Sequence, residues 1–180
     1  MVLPMQNHGW TLIELLIVLA IITTLTALSL PQADYSSRLT SRQQLQRLAD
    51  GIRLARSEAI LLGKPVRLCG LEAGQTARCA DDWNTGFSIL AEGDVIFQHR
   101  WQFNGRLTWQ GFNRQNYLTI DERGMLRYQN GSFTYCPADL DKTKAQQLII
   151  NSAGRTRLAI DSDQDGIRET SSGTPITCHQ

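Results

Sequence analysis

The sequence predicts an α+β fold in which one long N-terminal helix packs against antiparallel β-sheets. Three observations carry this. An apolar stretch from Trp10 to Leu30 runs into a second stretch whose apolar residues recur at helical spacing. From Lys64 onward the pattern changes to short runs of strand-forming residues separated by turn residues. All four cysteines fall in that later part. Strands that follow one long helix give its apolar stripe a sheet to bury itself against.

The chain has 180 residues, enough for one ordinary domain. Apolar residues make up 42% and charged residues 19%, values that exclude wholesale disorder and low-complexity classes. A net charge of +1 excludes a strongly basic nucleic-acid protein on bulk composition. The distribution is uneven. From Trp10 to Leu30 only Glu14 is charged. From Arg38 to Arg67 there are seven basic residues against two acids. From Leu68 to the end there are eleven basic and thirteen acidic residues, a net of −2.

Trp10 to Leu30 comprises 21 residues, roughly 32 Å as a helix, which matches the hydrocarbon core of a bilayer. A removable secretory signal fits badly, because Met1 to Gly9 has no Lys or Arg and the apolar run is long. A carboxylate inside an apolar helix is costly and needs a partner. For Glu14 the nearby cation would be a free amine, made by cutting the chain between Gly9 and Trp10. The block Gly9-Trp10-Thr11-Leu12-Ile13-Glu14 resembles the type IV prepilin signature, in which a leader ends in Gly and Glu stands fifth after the cut. Trp10 stands where that family usually has Phe, and the leader lacks the usual basic residues. The resemblance implies cleavage after Gly9 by a prepilin peptidase and methylation of the new Trp10 amine. It also implies that Glu14 attracts the terminal amine of a neighbouring subunit during assembly.

Pro31 interrupts the helical pattern without necessarily ending it. Beyond it Leu45, Leu48, Ile52, Ala55, Ala59 and Leu62 form one apolar stripe, with arginines on the other faces. That basic face is read as solvated or subunit-contacting, with DNA or phospholipid as the competing ligands. Gly63 and Pro65 are stop signals. The expected helix runs from about Trp10 to Leu62. The chain divides into a leader (1–9), a transmembrane or filament-core helix (10–30), its amphipathic continuation (31–62) and a β-rich domain (63–180).

Strands are expected at Val66 to Leu68, Phe87 to Leu90, Val95 to Phe97, Leu118 to Ile120, Met125 to Tyr128, Ser132 to Tyr135, Leu148 to Ile150 and Thr156 to Ile160. Asn130-Gly131 reads as a hairpin turn that sets Tyr128 opposite Phe133. Asn104-Gly105 is a weaker turn. Cys69, Cys79, Cys136 and Cys178 allow three disulfide pairings, and an oxidising exported compartment favours bridges. Cys69–Cys79 and Cys136–Cys178 are the most sensible pairs, since each closes a local or terminal loop. A zinc site lacks any C-x-x-C.

Ala55-Arg56-Ser57-Glu58-Ala59, Gly63-Lys64-Pro65-Val66, Trp83-Asn84-Thr85-Gly86-Phe87 and Gly154-Arg155 occur in the order found in the GspH/FimT group of minor pilins and pseudopilins, and the chain is similar to that group. Gly154-Arg155-Thr156-Arg157 resembles the GRxR motif of its FimT-type members, which bind DNA during natural transformation. On a strand, Arg155 and Arg157 would point to one side about 7 Å apart, near the spacing of successive phosphates. Gly154 would leave the backbone open to a phosphate. Lys142 and Lys144 are candidates for additional DNA contacts. The alternative for the arginine pair is ion pairing with Asp139, Asp141 or Asp161.

Asp161, Asp163 and Asp165, followed by Gly166, resemble the start of a calcium loop. An EF-hand would need Glu where Ser172 stands, and Glu169 would serve only a shorter loop. No G-x-S-x-G, P-loop or H-E-x-x-H is present, so the chain reads as a non-enzyme without cofactors. The resulting expectation is a minor type IV pilin that binds double-stranded DNA non-specifically and aids its uptake. The alternative is a structural minor pilin or type II secretion pseudopilin that touches only other pilins. Expected partners are other pilins, the prepilin peptidase and the inner membrane. The expected location is the inner membrane, single-pass with a periplasmic C-terminal domain, and then the pilus.

Overall fold

The structure, a computed structural model, describes residues 11–28, 33–71, 79–101, 104–112 and 114–178. It divides into two compact units, Met1–Ser36 and Ser37–Gln180. Gly9, Trp10 and Pro31 lie outside the described residues.

The first unit contains helix α1 (Leu12–Leu28). Its apolar side chains are exposed all round, from Leu12 at 78% to Leu25 at 60%. A helix that is apolar on every side has no face of its own to keep in water. At 17 residues it is about 25 Å long. Among the described residues no helix is long and apolar enough to cross a membrane. Of the helix that the sequence predicts from Trp10 to Leu62, the structure describes α1 and α2 (Ala33–Leu62), and residues 29–32 between them lie outside the described residues.

In the second unit α2 lies against two antiparallel sheets. The first sheet is built from β1 (Val66–Leu71), β2 (Cys79–Ala80), β3 (Gly86–Ala91), β4 (Asp94–Arg100) and β6 (Tyr117–Ile120). β1 is its centre, paired with β3 on one side and with β6 and then β2 on the other. The second sheet has the order β5 (Gly105–Gly111), β7 (Gly131–Pro137), β8 (Gln146–Ile150), β9 (Thr156–Leu158). Leu45, Leu48, Ile52, Ala55 and Ala59 of α2 have no solvent exposure. They share one core with Val66, Leu68, Phe87 and Ile89 of the first sheet and with Phe133, Leu148 and Ile150 of the second. The stripe therefore faces the core as its spacing predicts, except that Leu62, in the last turn, is 45% exposed.

Two expectations fail in the same place. Residues 125–128 form no strand, and Asn130-Gly131 is not a hairpin turn. Gly131 instead opens β7, paired with Gly111 on one side and Ile150 on the other. A side chain there would meet Gln110 O at 2.1 Å and the Trp109 ring at 2.8 Å, so close approach selects this glycine rather than turn geometry. The β5 strand (GRLTWQG) occupies the edge the hairpin would have used. Its inward Leu107 and Trp109 carry a period-2 signal that the strand expectations omitted.

Both bridges join the pairs favoured by the sequence: Cys69 to Cys79, with a Cα separation of 5.3 Å, and Cys136 to Cys178, with 5.7 Å. The second ties β7 to the C-terminal segment, which lays Ile176 on Ala145, Ile149 and Ala159, a small second core on the outer face of β8 and β9. Loop-closure entropy gives the bridge spanning 42 residues the larger effect. Replacing Cys136 and Cys178 together by Ser lowers the unfolding free energy by about 4 kcal/mol, and the Cys69/Cys79 pair by about 3 kcal/mol, on the chain-entropy account. Urea denaturation of the full chain in detergent measures both.

Candidate functional site

Strand β8 is buried along its length. Leu148 and Ile150 point to the main core, so Gln147 and Ile149 take the opposite face. The chain then reverses through residues 151–155 into β9. Asn151 holds this turn. Its N–H donates to Arg155 O at 3.1 Å, its carbonyl accepts from Gly154 N–H at 2.8 Å, and its Oδ1 accepts from Arg155 N–H at 2.9 Å. Arg157 stands opposite Ile149, which puts it on the outer face of the second sheet. Arg155 precedes β9, in the turn, where its N–H and its carbonyl are both bonded to Asn151.

Arg155 and Arg157 are both exposed. Among the described residues neither makes an ion pair. The acids that were candidates to neutralise them are otherwise engaged: Asp139 and Asp141 bind Lys144 Nζ at 2.9 and 3.5 Å. Asp161 accepts from Gln164 N–H and Gly166 N–H at 2.7 and 2.9 Å. The Lys144 hydrogen bond, followed by the Asp141 N–H, holds the Asp139 carboxyl below the usual range despite slight desolvation. For Asp141 the Thr143 hydroxyl and N–H act first and Lys144 adds to them. Lys144, with a side chain only 15% exposed, is thereby drawn away from any role as a free phosphate contact. Lys142 is exposed.

Gly154 departs from the expected role. Its backbone is left-handed, φ +68°, which favours glycine. It is not open, however: a Cβ there would lie 2.8 Å from Arg56 Cδ and 3.1 Å from Arg56 Nε. The glycine makes room for a side chain of α2, not for a phosphate. Arg56 Nε in turn donates to Gly124 O at 2.9 Å. Arg56 thus fastens the 151–155 turn and the 121–125 turn to the helix, a role that its place in the sequence could not reveal.

The acidic loop does bring Glu169 to the three aspartates. The carboxylate oxygens of Asp161, Asp163, Asp165 and Glu169 come within 4.8 Å of one another, the type of oxygen group a calcium ion takes. Each carboxylate also accepts from the loop itself, Glu169 from Ser162 N–H and Oγ at 2.9 and 2.8 Å. Ser172 is not part of that group: its hydroxyl is within 2.9 Å of Thr170.

At the start of α1, Glu14 N–H donates to Thr11 Oγ1 at 3.3 Å and Glu14 Oε2 accepts from Thr11 N–H at 3.5 Å. This is a reciprocal cap on the first turn. The Thr-x-x-Glu spacing is its sequence signal, and the reading of Glu14 as an acid in need of an amine passed over it.

An apolar helix behind a cleavable-type N-terminal motif, followed by an amphipathic helix on two antiparallel sheets, is the build of a pilin-like protein. The comparisons agree. Residues 44–154 match the family described as type II transport protein GspH, and residues 4–30 match the prokaryotic N-terminal methylation motif. The first match covers more than half of the chain, and the chain belongs to the GspH family. Its role is that of a minor pilin or pseudopilin, which implies association with other pilins and processing at the methylation motif. Two crystal forms of the type IV minor pilin FimU from Pseudomonas aeruginosa strain PAO1 share the fold. The P65 form is 25% identical and covers 77% of this chain and 99% of that one, with a TM-score of 0.52. The P21 form is 23% identical and covers 81% and 99%, with a TM-score of 0.55. Comparison with curated proteins gives no match. The GspH match ends at Gly154, so Arg155 and Arg157 lie just beyond it.

Gly154→Ala puts a Cβ against Arg56 at a left-handed position, and the expected loss is about 1–3 kcal/mol of stability. Thermal unfolding of the full chain checks it. An unchanged melting temperature contradicts the role given to this glycine.

Proposed function

We propose that this minor pilin binds double-stranded DNA without sequence preference and aids its uptake in natural transformation, with Arg155 and Arg157 as phosphate contacts. The observation that supports this most is that Arg155 and Arg157 are both exposed and that no described acid neutralises them. An arginine held in an ion pair must give up that partner before it can take a phosphate. These two do not face that cost. A pair of contacts gives weak, salt-sensitive affinity, so avidity from several subunits in one filament would strengthen it. Gly154 contributes shape, by setting the turn that aims both arginines outward.

On this reading the chain is cut after Gly9, methylated at Trp10 and anchored in the inner membrane by residues 10–30. The globular unit is periplasmic until the protein enters the pilus. Glu14 caps its own helix before assembly and takes the terminal amine of a neighbour afterwards. A structural role without DNA, priming or capping a pilus or a type II secretion pseudopilus, is the second reading. The likeness to FimU favours it, and so does edge strand β4, where Val95, Ile96 and Phe97 are 36–39% exposed beside a groove of 280 Å³ lined by Arg47, Leu54 and His99. Another pilin subunit is the natural cover for that edge.

Full-length protein in detergent should retard duplex DNA at low salt, and Arg155→Gln with Arg157→Gln should abolish the shift without lowering the melting temperature. Unchanged retardation by the double variant leaves the structural reading. Glu14→Ala should still reach the membrane, yet its recovery in sheared pili should fall severalfold. Wild-type recovery would contradict the assembly role of Glu14.

A further inference from the structure

We infer that the DNA-contacting surface is built on two fused turns, and that Arg123 is a further phosphate contact beside Arg155 and Arg157; this rests on the reading of those two residues given above.

The first turn, 121–125, follows β6. Asp121 closes it: Gly124 N–H donates to Asp121 O at 2.8 Å, and Asp121 Oδ1 accepts from Arg123 N–H and Met125 N–H at 3.0 and 2.9 Å. Burial pushes the Asp121 carboxyl up, but those two N–H groups and Arg127 outweigh it and leave it below its ordinary value. The second turn is 151–155. The two are joined by Leu126 N–H donating to Ser152 O at 2.9 Å. Gly124 O lies 3.5 Å from the point where Gly154 would carry a Cβ. Arg56 reaches both, through its Nε to Gly124 O at 2.9 Å and its Cδ against Gly154.

Both turns need a left-handed glycine, Gly124 with φ +75° and Gly154 with φ +68°. Arg123 directly precedes one and Arg155 directly follows the other. Arg123 is exposed and, among the described residues, makes no ion pair. Arg127 is 69% exposed but held by Asp121 at 3.4 Å and Glu122 at 3.9 Å.

The two acids of the first turn are engaged, Glu122 with Arg127 at 3.9 Å. The Asp121 side chain is only 10% exposed and is spent on the turn's own N–H groups. The arginines face water. Against a net of −2 from Leu68 onward, the joined turns carry Arg123 and Arg155, with Arg157 two residues on, three exposed arginines that make no ion pair among the described residues. Arg123 lies 31 residues from the GRxR motif and outside it, so only the contact between the turns brings it in.

The test is fluorescence anisotropy of a labelled duplex with full-length protein in detergent, over a salt series. Each lost phosphate contact reduces the slope of log Kobs against log salt by about 0.9. Arg123→Gln should flatten the slope by that amount. Arg106→Gln, the same charge change on β5 at the opposite edge of the second sheet, should leave it unaltered. An unchanged slope in R123Q overturns the inference, and so does an equal loss in R106Q, which would mark a bulk charge effect. If R123Q is unchanged while the Arg155/Arg157 double variant loses binding, the original pair stands without Arg123. If the double variant binds as wild type, the DNA reading itself fails and takes this inference with it.

Discussion

Five side chains on α2, Leu45, Leu48, Ile52, Ala55 and Ala59, have no solvent exposure, and both sheets are placed by the need to cover them. Burying a leucine or isoleucine contributes about 1.5–3 kcal/mol, and the two alanines let the sheets come close. Neither sheet covers the stripe alone. The first supplies Val66, Leu68, Phe87 and Ile89, the second Phe133, Leu148 and Ile150, and Trp83 meets Phe133 edge-on with centroids 4.6 Å apart. Each sheet's outer face is then free to carry something else.

What the second sheet carries is set by Arg56. It stands one position past Ala55, at the rim of the stripe, where a long side chain can leave the core and still be half-buried. There it fits against one glycine turn and hydrogen-bonds the carbonyl of another. A helix residue therefore fixes the two loops that present the exposed arginines. The Cys136–Cys178 bridge secures the same face from the other end of the sheet, by holding Ile176 on Ile149, the neighbour of Arg157 across the ladder. Exposed charges on loops are cheap to place and hard to aim. Here packing beneath them provides the aim.

Membership in the GspH family accounts for the helix, the sheets and the methylation motif, and for partners that are other pilins. It does not by itself account for the free arginines beyond Gly154. The scaffold's work is to hold a helix against sheets. Exposed charges on the outer face leave stability almost unaffected, so the scaffold does not constrain them.

Wherever a local rule applied, the sequence was readable. The α2 stripe follows from a spacing of three and four, most strands from short alternating runs, and both disulfides from loops closed nearby or at the terminus. The two-residue period of a strand places Arg157 on the outer face, whereas Arg155 falls in the turn before β9. The missed hairpin at Asn130-Gly131 shows the limit. The dipeptide favours a turn, but β5 and β8 both pair with Gly131, and two ladders outweigh one local preference. Gly154 and Arg56 show it again: 98 residues separate them in the chain, and no period or motif links a glycine to the side chain it must admit. Patterns within one element were written in the amino-acid order, because they depend on backbone geometry alone. The meeting of the two glycine turns under one arginine was decided only by tertiary packing, because it depends on which distant surfaces the shared core brings into contact.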